Sequence, residues 1–176
     1  LIKMIILGLG SNLSSSLGDR FKNLELAISY LEMYKIKILK KSSYYETPSY
    51  PNKKNPKFIN IVVNIETNLN QENLASVLLF IEEKLERKRF KKNDPRTCDI
   101  DILDFNNQTI NFKYKEFSFT VPHKKLTSRS FVLYPLQEIL PEWIHPKTRE
   151  TINLLIEKLP LGEKNSILKI EKYWYS

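Results

Sequence analysis

Two aspartates at alternate positions of an apolar run are the residues best suited to chemistry in this sequence. Asp99 and Asp101 lie in the stretch DPRTCDIDI, residues 94–102, and Arg96 precedes them. Alternate residues of a strand share one face and lie roughly 7 Å apart, at about 3.3 Å of rise per residue, so the two carboxylates can bracket a hard cation. The simpler interpretation is an open sheet face that merely carries polar residues.

Basic residues near this pair favour the metal interpretation. Arg87 and Arg89 lie at the end of a predicted helix, and His123 and Arg129 follow downstream. Mg²⁺ prefers carboxylate and phosphate oxygens, while guanidinium groups neutralise the remaining phosphate charge. This combination predicts a site for a metal-nucleotide complex. The sequence has neither a G-x-x-x-x-G-K-[ST] nor a G-x-G-x-x-G motif, so any nucleotide must be held by side chains.

Hydrophobic periodicity predicts the elements that position these residues. Four stretches have the pattern of strands, and they cover residues 3–9, 36–45, 58–66 and 97–105. Two stretches have apolar residues at helical spacing, and they cover residues 21–31 and 74–85. Asp19 and Asn70 are placed to cap these helices, and Gly8 and Gly10 are expected to break the first strand.

The order of these elements predicts an α+β fold of the ferredoxin-like type, a βαββαβ core with both helices on one face of the sheet. The other face is then expected to be free. On the last strand, Cys98 would point toward the helices as a small core residue, so Asp99 and Asp101 would point to the free side. The same alternation places Phe58 and Asn60 on that side. The fold therefore predicts one site on the free face.

Length and composition limit what the chain can be. Its 176 residues, 41% hydrophobic and 27% charged, suit a single folded domain spanning 1–176. No apolar run approaches membrane-spanning length and the start has no signal-peptide pattern, which predicts a cytoplasmic protein. The net charge of +8 predicts a polyanionic partner such as nucleic acid, a nucleotide or an anionic membrane surface, or else reflects a general excess of lysine.

Short motifs along the chain occur in the order found in one enzyme family. They are GSNL at 10–13, YETP at 45–48, FIN at 58–60, PRTCDIDIL at 95–103, VPH at 121–123 and RSFVLYPL at 129–136. Together they resemble the 6-hydroxymethyl-7,8-dihydropterin pyrophosphokinase family of folate synthesis, over about residues 7–159. One such motif can arise by chance, whereas this many in register are specific.

The resemblance implies a magnesium-dependent transfer of pyrophosphate from ATP to the hydroxymethyl group of a reduced pterin, leaving AMP. By matching position, Asp99 and Asp101 would hold two Mg²⁺ ions, and Arg87 and Arg96 would join them as catalytic residues. The implied ATP contacts are Glu82, Arg87, Arg96, His123 and Arg129. The implied pterin slot is formed by Thr47, Pro48, Phe58, Asn60 and Phe131. The implied partners are these two small substrates, with no nucleic acid and no membrane, and the chain is expected to be a monomer.

The sequence departs from the family pattern near the site. Glu86 stands where many members have Gly before the arginine pair, and it is expected to be an ordinary helix residue. The loop 90–94 lacks the Trp-Gly of some members, so an aromatic closing over the substrates would be missing or supplied by Phe90. C-terminal helices are expected after the core. Residues 161–176 form an extension of uncertain role, in which 167–175 could add a strand or a partner contact.

Two other functions fit parts of the sequence. A basic ferredoxin-like sheet with a free face is also the architecture of RNA-recognition domains, but these carry an RNP1-like aromatic run that the sequence lacks. A family relative without activity would share the fold, although the acidic and basic positions are intact. Structural alternatives stay open for several residues: core aromatics for Phe58 and Phe131, capping or turn residues for Asn12 and Asn60, and a loop residue for His123. His145 is expected to be a loop residue, and Trp143 has no assigned role.

Overall fold

The computed structural model describes residues 3–91 and 93–170. The strands are β1 Ile5–Ser11, β2 Lys37–Lys41, β3 Tyr44–Thr47, β4 Phe58–Glu66, β5 Asp99–Phe105, β6 Ile110–Tyr114, β7 Phe117–Val121 and β8 Leu168–Ile170. The helices are α1 Arg20–Met33, α2 Gln71–Lys84, α3 Ser130–Ile139, α4 Ile152–Glu157 and α5 Leu161–Ser166, with a 3₁₀ turn at Leu126–Ser128. Among the described residues, every helix is too short or too polar to span a membrane.

The main sheet is antiparallel and confirms the predicted ferredoxin-like α+β fold. Strand β1 lies between β5 and β4, and both β2 and β3 pair with the other side of β4. Strand β8 adds an edge beside β3, as the sequence suggested for part of the C-terminal extension. The rest of that suggested strand, residues 171–175, lies outside the described residues. A separate hairpin of β6 and β7 was not predicted.

Two strand predictions were wrong in detail. Gly8 and Gly10 do not break β1, because both pair in register with β4 and β5. The predicted strand 36–45 is divided at Ser42, which belongs to neither β2 nor β3. The Ser42 hydroxyl accepts a hydrogen bond from the Val62 amide at 3.0 Å, and so a side chain replaces a backbone partner at this point of the ladder.

Helices α1 and α2 cover one face of the sheet, as predicted. The Asp19 side chain accepts a hydrogen bond from the Lys22 amide, and the Asn70 side chain accepts one from the Asn73 amide, both at 2.8 Å. These caps satisfy N–H groups that have no partner within the helix. Cys98 lies in the core between the helices and the sheet, where burial raises the pKa of its thiol well above the ordinary value.

The opposite face is only partly free, which corrects the prediction of an open face. Helices α3 and α4 pack over one end of it. This second core joins Ile6, Val62 and Leu103 of the sheet to residues of the two helices, among them Val132, Leu133, Leu136, Ile152 and Leu155. The physical reason is that the sheet residues at this end are apolar and require cover. The uncovered part of the face is the end where Asp99, Asp101, Phe58 and Asn60 lie.

Trp143 has a structural role that its sequence surroundings did not indicate. It is buried between α3 and α4, and its indole Nε1 donates a hydrogen bond to Asp104 Oδ2 at 2.8 Å. Burial raises the pKa of the Asp104 carboxyl, while the bond from Trp143 opposes that rise. The pair ties the second core to strand β5, and therefore to the strand that carries Asp99 and Asp101.

The end of α2 contradicts the prediction that Glu86 is an ordinary helix residue. Glu86 has a φ of 64°, in the left-handed region that favours glycine. Its N–H donates to the Glu83 carbonyl and the Arg87 N–H donates to the Glu82 carbonyl, both at 3.0 Å. This is a Schellman motif, in which the residue after the C-cap adopts the left-handed conformation. Glu86 therefore ends the helix and redirects the chain at Arg87.

Candidate active site

Two glycines of the central strand form the floor of the site. Gly10 of β1 pairs with Asp99 on one side and with Asn60 on the other, and Gly8 pairs with Asp101. Residues paired in register share a face of the sheet, so these polar side chains flank bare backbone. A Cβ atom at Gly10 would lie 3.1 Å from Asn60 Oδ1. Without a side chain at Gly10, Asn60 and the Phe58 ring pack closely against the backbone beside Asp99.

Asp99 is held by two arginines. Arg87 Nη1 contacts Asp99 Oδ1 at 2.7 Å, and Arg96 donates to Oδ2 through Nε at 2.8 Å and Nη2 at 2.7 Å. Burial alone would raise the pKa of the Asp99 carboxyl, but the charges and hydrogen bonds of Arg96 and Arg87 outweigh it and lower the pKa to about 2. Asp99 is therefore ionised throughout the physiological range.

Asp101 lies in a different electrostatic environment. The nearest cation is Arg129, whose Nη1 is 3.8 Å from Asp101 Oδ2. Burial and the negative charge of Asp99 raise the pKa of the Asp101 carboxyl to about 7, against the opposing charge of Arg129. A carboxyl that is costly to ionise in the free protein gains a partner when a divalent cation binds, because the cation compensates both negative charges.

Glu82 is a buried support for the arginines. Its Oε1 accepts hydrogen bonds from Arg87 Nη1 at 2.6 Å and from the Ile100 amide at 2.8 Å, and its other oxygen pairs with Arg89. Burial raises the pKa of the Glu82 carboxyl to about 7, with Arg87 opposing that rise. Glu82 is only 3% exposed, so its direct contacts are with the protein. The sequence resemblance placed Glu82 near the nucleotide without indicating this supporting role.

A cavity of about 450 Å³ lies beside these residues, between α2 and the β6–β7 hairpin. Glu82, Arg87 and Arg89 line it on one side, and Tyr114 and Phe117 line it on the other. The Arg89 guanidinium lies 4.9 Å from the centre of the Phe117 ring. The unpredicted hairpin therefore forms one wall of a partly basic cavity next to Asp99.

The residues implied for a pterin slot come from three elements. Thr47 of β3 pairs with Phe58 of β4, and the Asn60 side chain donates to Thr47 Oγ1 at 3.0 Å. Pro48 follows β3 directly, and Phe131 lies at the start of α3. The structure joins Thr47, Phe58 and Asn60 through strand pairing and hydrogen bonding.

Each of the two phenylalanines is covered by an arginine. The Arg96 guanidinium lies 4.8 Å from the centre of the Phe58 ring, and that of Arg129 lies 5.3 Å from the Phe131 ring. Both rings are half-buried rather than enclosed in a core. Because the same arginines also contact Asp99 and Asp101, the aromatic and acidic groups form one continuous site.

Asn12 is a site residue that the sequence interpretation missed. Its Oδ1 accepts a hydrogen bond from the Arg96 amide at 2.7 Å, and its Nδ2 donates to Ser49 Oγ at 3.0 Å and to the Pro56 carbonyl at 3.1 Å. It is 2% exposed. One side chain thus joins the loops that carry Arg96 and precede Phe58. The GSNL motif was the available signal, but its partners lie too far along the chain to be recognised.

We expect Asn12→Ala to destabilise the protein by about 2–3 kcal/mol, because it removes three hydrogen bonds and leaves buried groups unpaired. The free energy of unfolding, measured by chemical denaturation, checks this. Asn68→Ala serves as a control on an exposed loop and should change stability by less than about 0.5 kcal/mol. Equal effects of the two substitutions would refute the joining role of Asn12.

His123 is a neutral, half-buried imidazole beside the arginines. Burial and the charge of Arg129 lower the pKa of His123 to about 4. Its Nδ1 accepts a hydrogen bond from the Lys125 amide at 3.1 Å, so the proton of the neutral ring is on Nε2. His145, in contrast, accepts hydrogen bonds from the Lys147 and Thr148 amides and is a structural loop residue, as predicted.

The lowered pKa of His123 predicts an acid-dependent loss of stability. The unfolded chain protonates His123 near 6.5, whereas the folded chain does so only near 4. The contribution of His123 to the free energy of unfolding is therefore fully present above pH 6.5 and is lost as the pH falls from 6.5 towards about 4. We expect His123→Gln to lose less thermal stability than the parent between about pH 7 and about pH 4.5, with Lys124→Ala as the control. Parallel pH profiles for His123→Gln and the parent would contradict this expectation.

Comparisons with known proteins show which proteins this chain resembles. The chain matches the family model described as 7,8-dihydro-6-hydroxymethylpterin-pyrophosphokinase over residues 6–141. It is 36% identical over 166 residues to the 2-amino-4-hydroxy-6-hydroxymethyldihydropteridine pyrophosphokinase of Aquifex aeolicus, covering 94% of this chain and 98% of that relative. It is also 36% identical over 148 residues to the folic acid synthesis protein fol1 of Pneumocystis carinii, covering 84% of this chain.

Some relatives are much longer than this chain. The chain spans only 20% of the Pneumocystis carinii protein. Among solved structures, wild-type HPPK-DHPS of Plasmodium falciparum has a TM-score of 0.70 at 21% identity, covering 89% of this chain and 44% of that one. That likeness supports the fold, while the family assignment depends on the sequence matches. The chain belongs to the 7,8-dihydro-6-hydroxymethylpterin-pyrophosphokinase family.

Proposed function

We propose that this chain transfers pyrophosphate from ATP to 6-hydroxymethyl-7,8-dihydropterin, giving AMP and the pterin diphosphate. The family is one of ATP-dependent diphosphotransferases, and the chain shares its fold. The observation that carries the proposal is the arrangement around Asp99 and Asp101. Arg87, Arg96 and Arg129 contact this acidic pair on the uncovered sheet face, which suits a magnesium-bound polyphosphate.

The two aspartates fit a magnesium site. Within the described part of the chain, no third His, Cys, Asp or Glu completes a protein-only metal cluster around them. Mg²⁺ commonly takes one or two carboxylates and fills its remaining positions with phosphate oxygens and water. We therefore assign Asp99 and Asp101 as the protein ligands of two Mg²⁺ ions. When bound, the ions would neutralise phosphate charge and make the attacking hydroxyl more acidic.

The basic residues are suited to the phosphates. Arg87 and Arg96 present planar guanidinium groups that now hold Asp99, and phosphate oxygens can compete for the same donors. Arg129 reaches the site from the Asp101 side. His123 can donate from Nε2 while remaining neutral, because its Nδ1 is already an acceptor. The cavity beside Glu82 lies next to Arg87 and is the place for the nucleoside part of ATP.

We assign the flat pterin ring to the faces of Phe58 and Phe131. Aromatic rings provide large apolar contacts, and a few polar groups fix the orientation of a heterocycle. Asn60 and Thr47 supply those polar groups at the edge of Phe58. Pro48 restricts the chain beside them. Since Arg96 and Arg129 now cover the phenyl rings, the pterin would take the place of one or both guanidinium groups.

Catalysis in this arrangement depends on alignment and charge neutralisation. The pterin hydroxyl oxygen forms a bond with the β-phosphorus and loses its proton to water. The bond from the β-phosphorus to the oxygen that bridges to the α-phosphate breaks, so AMP leaves with that oxygen. The arginines hold the phosphates in line and compensate the charge that develops on the bridging oxygen. We further propose that the chain works as a monomeric single domain, 1–176, in the cytoplasm, without nucleic acid.

The direct test is AMP formation from ATP, with and without the pterin and with Mg²⁺ or EDTA. The proposal requires AMP only when both pterin and Mg²⁺ are present. Binding of a random oligonucleotide should be measured in the same preparations, because the net charge of +8 and the sheet architecture also suit RNA. Salt-sensitive oligonucleotide binding by folded protein that forms no AMP would replace the transferase proposal with an RNA-binding function.

A further inference from the structure

One short segment, residues 12–16, is linked to both arginines that hold Asp99. It is hydrogen-bonded to Arg96 itself and to Glu86, the residue before Arg87. At one end, the Asn12 backbone N–H donates to the Arg96 carbonyl at 3.0 Å, and the Asn12 side-chain oxygen accepts from the Arg96 N–H at 2.7 Å. At the other end, the Ser16 amide donates to a Glu86 carboxylate oxygen at 2.8 Å, and the Ser16 hydroxyl donates to the other oxygen. Glu86 directly precedes Arg87, so the segment connects the two arginine-bearing parts of the chain.

The segment is itself fixed to α1. The Asn23 side chain donates to the Leu13 carbonyl at 3.0 Å, and the Ser15 hydroxyl donates to Asn23 Oδ1 at 2.6 Å. Ser15 and Gly18 also exchange backbone hydrogen bonds. Ser16 is therefore attached to a well-connected turn rather than to a free loop. A carboxylate that binds Ser16 is therefore held in a fixed position relative to that turn.

A comparison with the end of α1 shows what is unusual about Glu86. Lys35 follows α1 with a φ of 59°, and the next residue, Ile36, donates its N–H to the Leu31 carbonyl. Ile36 is fully buried, so an apolar contact holds that helix end in the ordinary way. At the end of α2 the corresponding residue is Arg87. Its side chain binds Asp99, so it makes no apolar contact that would hold the helix end.

The backbone alone gives no reason for a glutamate at this position. Glycine adopts the left-handed conformation without the steric penalty that a side chain meets. The side chain of Glu86 must therefore be judged by what it binds. Its two oxygens both accept hydrogen bonds from Ser16, and these bonds lower the pKa of the exposed Glu86 carboxyl.

We propose that Glu86 is a positioning residue for phosphate binding. By binding Ser16 it holds the turn after α2, and this fixes Arg87 opposite Arg96 across Asp99. In this proposal Glu86 acts through Arg87 rather than through a substrate contact. The inference depends on the proposed transferase function and adds to it a residue that acts through Arg87.

Three variants separate the carboxylate from the backbone. Glu86→Gly keeps the left-handed conformation and removes the contact with Ser16. Glu86→Gln keeps an acceptor oxygen at the same distance along the side chain. Lys35→Gly makes the same backbone change at the end of α1, away from the site, and serves as the matched control.

We expect Glu86→Gly to raise the KM for ATP about 10-fold, because small displacements of a positioning group weaken phosphate alignment. Glu86→Gln and Lys35→Gly should stay within about threefold of the parent, and the KM for the pterin should change less than that for ATP in all three.

Two further measurements do not depend on turnover. Amide hydrogen exchange at Ser16 should accelerate in Glu86→Gly and remain slow in Lys35→Gly. The dissociation constant of a non-hydrolysable ATP analogue with Mg²⁺, measured by calorimetry, should rise about 10-fold in Glu86→Gly.

The inference is overturned if Ser16 exchange is unchanged, if exchange accelerates without weaker ATP binding, or if Glu86→Gln loses as much ATP affinity as Glu86→Gly. A parent that binds the analogue but forms no AMP would refute the transferase function alone; a parent that does neither would refute both.

Discussion

Asp101→Ala and Asp99→Ala are each expected to lower AMP formation by about 10³-fold, equivalent to about 4 kcal/mol of transition-state stabilisation. Each substitution removes one of only two carboxylates at the proposed magnesium site. In Asp99→Ala, Arg87 and Arg96 also lose the partner that orients them. Steady-state rates over a Mg²⁺ titration measure the effect. Excess Mg²⁺ should recover part of the activity of Asp101→Ala, since its remaining partner Asp99 stays ionised.

Asp104→Asn provides the matched control on the same strand. Asp104 is buried on β5 and accepts a hydrogen bond from Trp143, which an amide oxygen can also accept. This variant should change thermal stability while leaving the Mg²⁺ dependence of the rate unaltered. If Asp99→Ala or Asp101→Ala were folded and kept nearly normal rates with normal Mg²⁺ dependence, the metal assignment would be wrong.

Arg96→Ala is expected to lower kcat/KM for ATP by about 10²- to 10³-fold. Arg96 makes a two-point contact with Asp99 and also stacks on Phe58, so its loss affects phosphate binding and leaves Asp99 less stabilised. Arg96→Lys should recover little, because an ammonium group cannot reproduce the planar two-point contact. Kinetics with varied ATP, together with binding titrations of the pterin, separate the phosphate role from the aromatic one.

Lys88→Ala tests whether positive charge alone explains the effect. Lys88 is exposed between Arg87 and Arg89 and therefore contributes to the same local field. Its removal should change kcat/KM for ATP by less than about threefold at physiological ionic strength, because exposed charges are screened. Equal losses in Arg96→Ala and Lys88→Ala would refute a specific contact between Arg96 and the phosphates.

The fold and the acidic pair could be predicted because both depend on local periodicity. Alternation along β4 and β5 was sufficient to place Phe58, Asn60, Asp99 and Asp101 on the face opposite α1 and α2. The partial cover of that face by α3 and α4 was not predicted. It depends on long-range packing of Ile6 and its apolar neighbours, which individually resemble any strand residues.

The supporting residues of the site were not predictable for the same reason. Asn12 acts on partners 37, 44 and 84 positions away, and no local pattern reports such contacts. Glu82 was placed near the nucleotide by resemblance, but its burial under Arg87 follows only from the packing of α2 against β5. Glu86 was misread because a left-handed residue in a helix-like sequence is recognisable from its backbone angles rather than from its residue type.

The position of Cys98 gives this protein an internal reporter of its own site. The chain has one cysteine, and its thiol is fully buried immediately before β5, next to Asp99 and on the reverse face of the sheet. A thiol reagent can reach this buried thiol only when the core around it opens, so the labelling rate reports openings next to the strand that carries both aspartates. Ligands that bind those aspartates should slow labelling. Occupancy of the proposed site could then be followed chemically from the opposite side of the sheet, without a substrate analogue that absorbs or fluoresces.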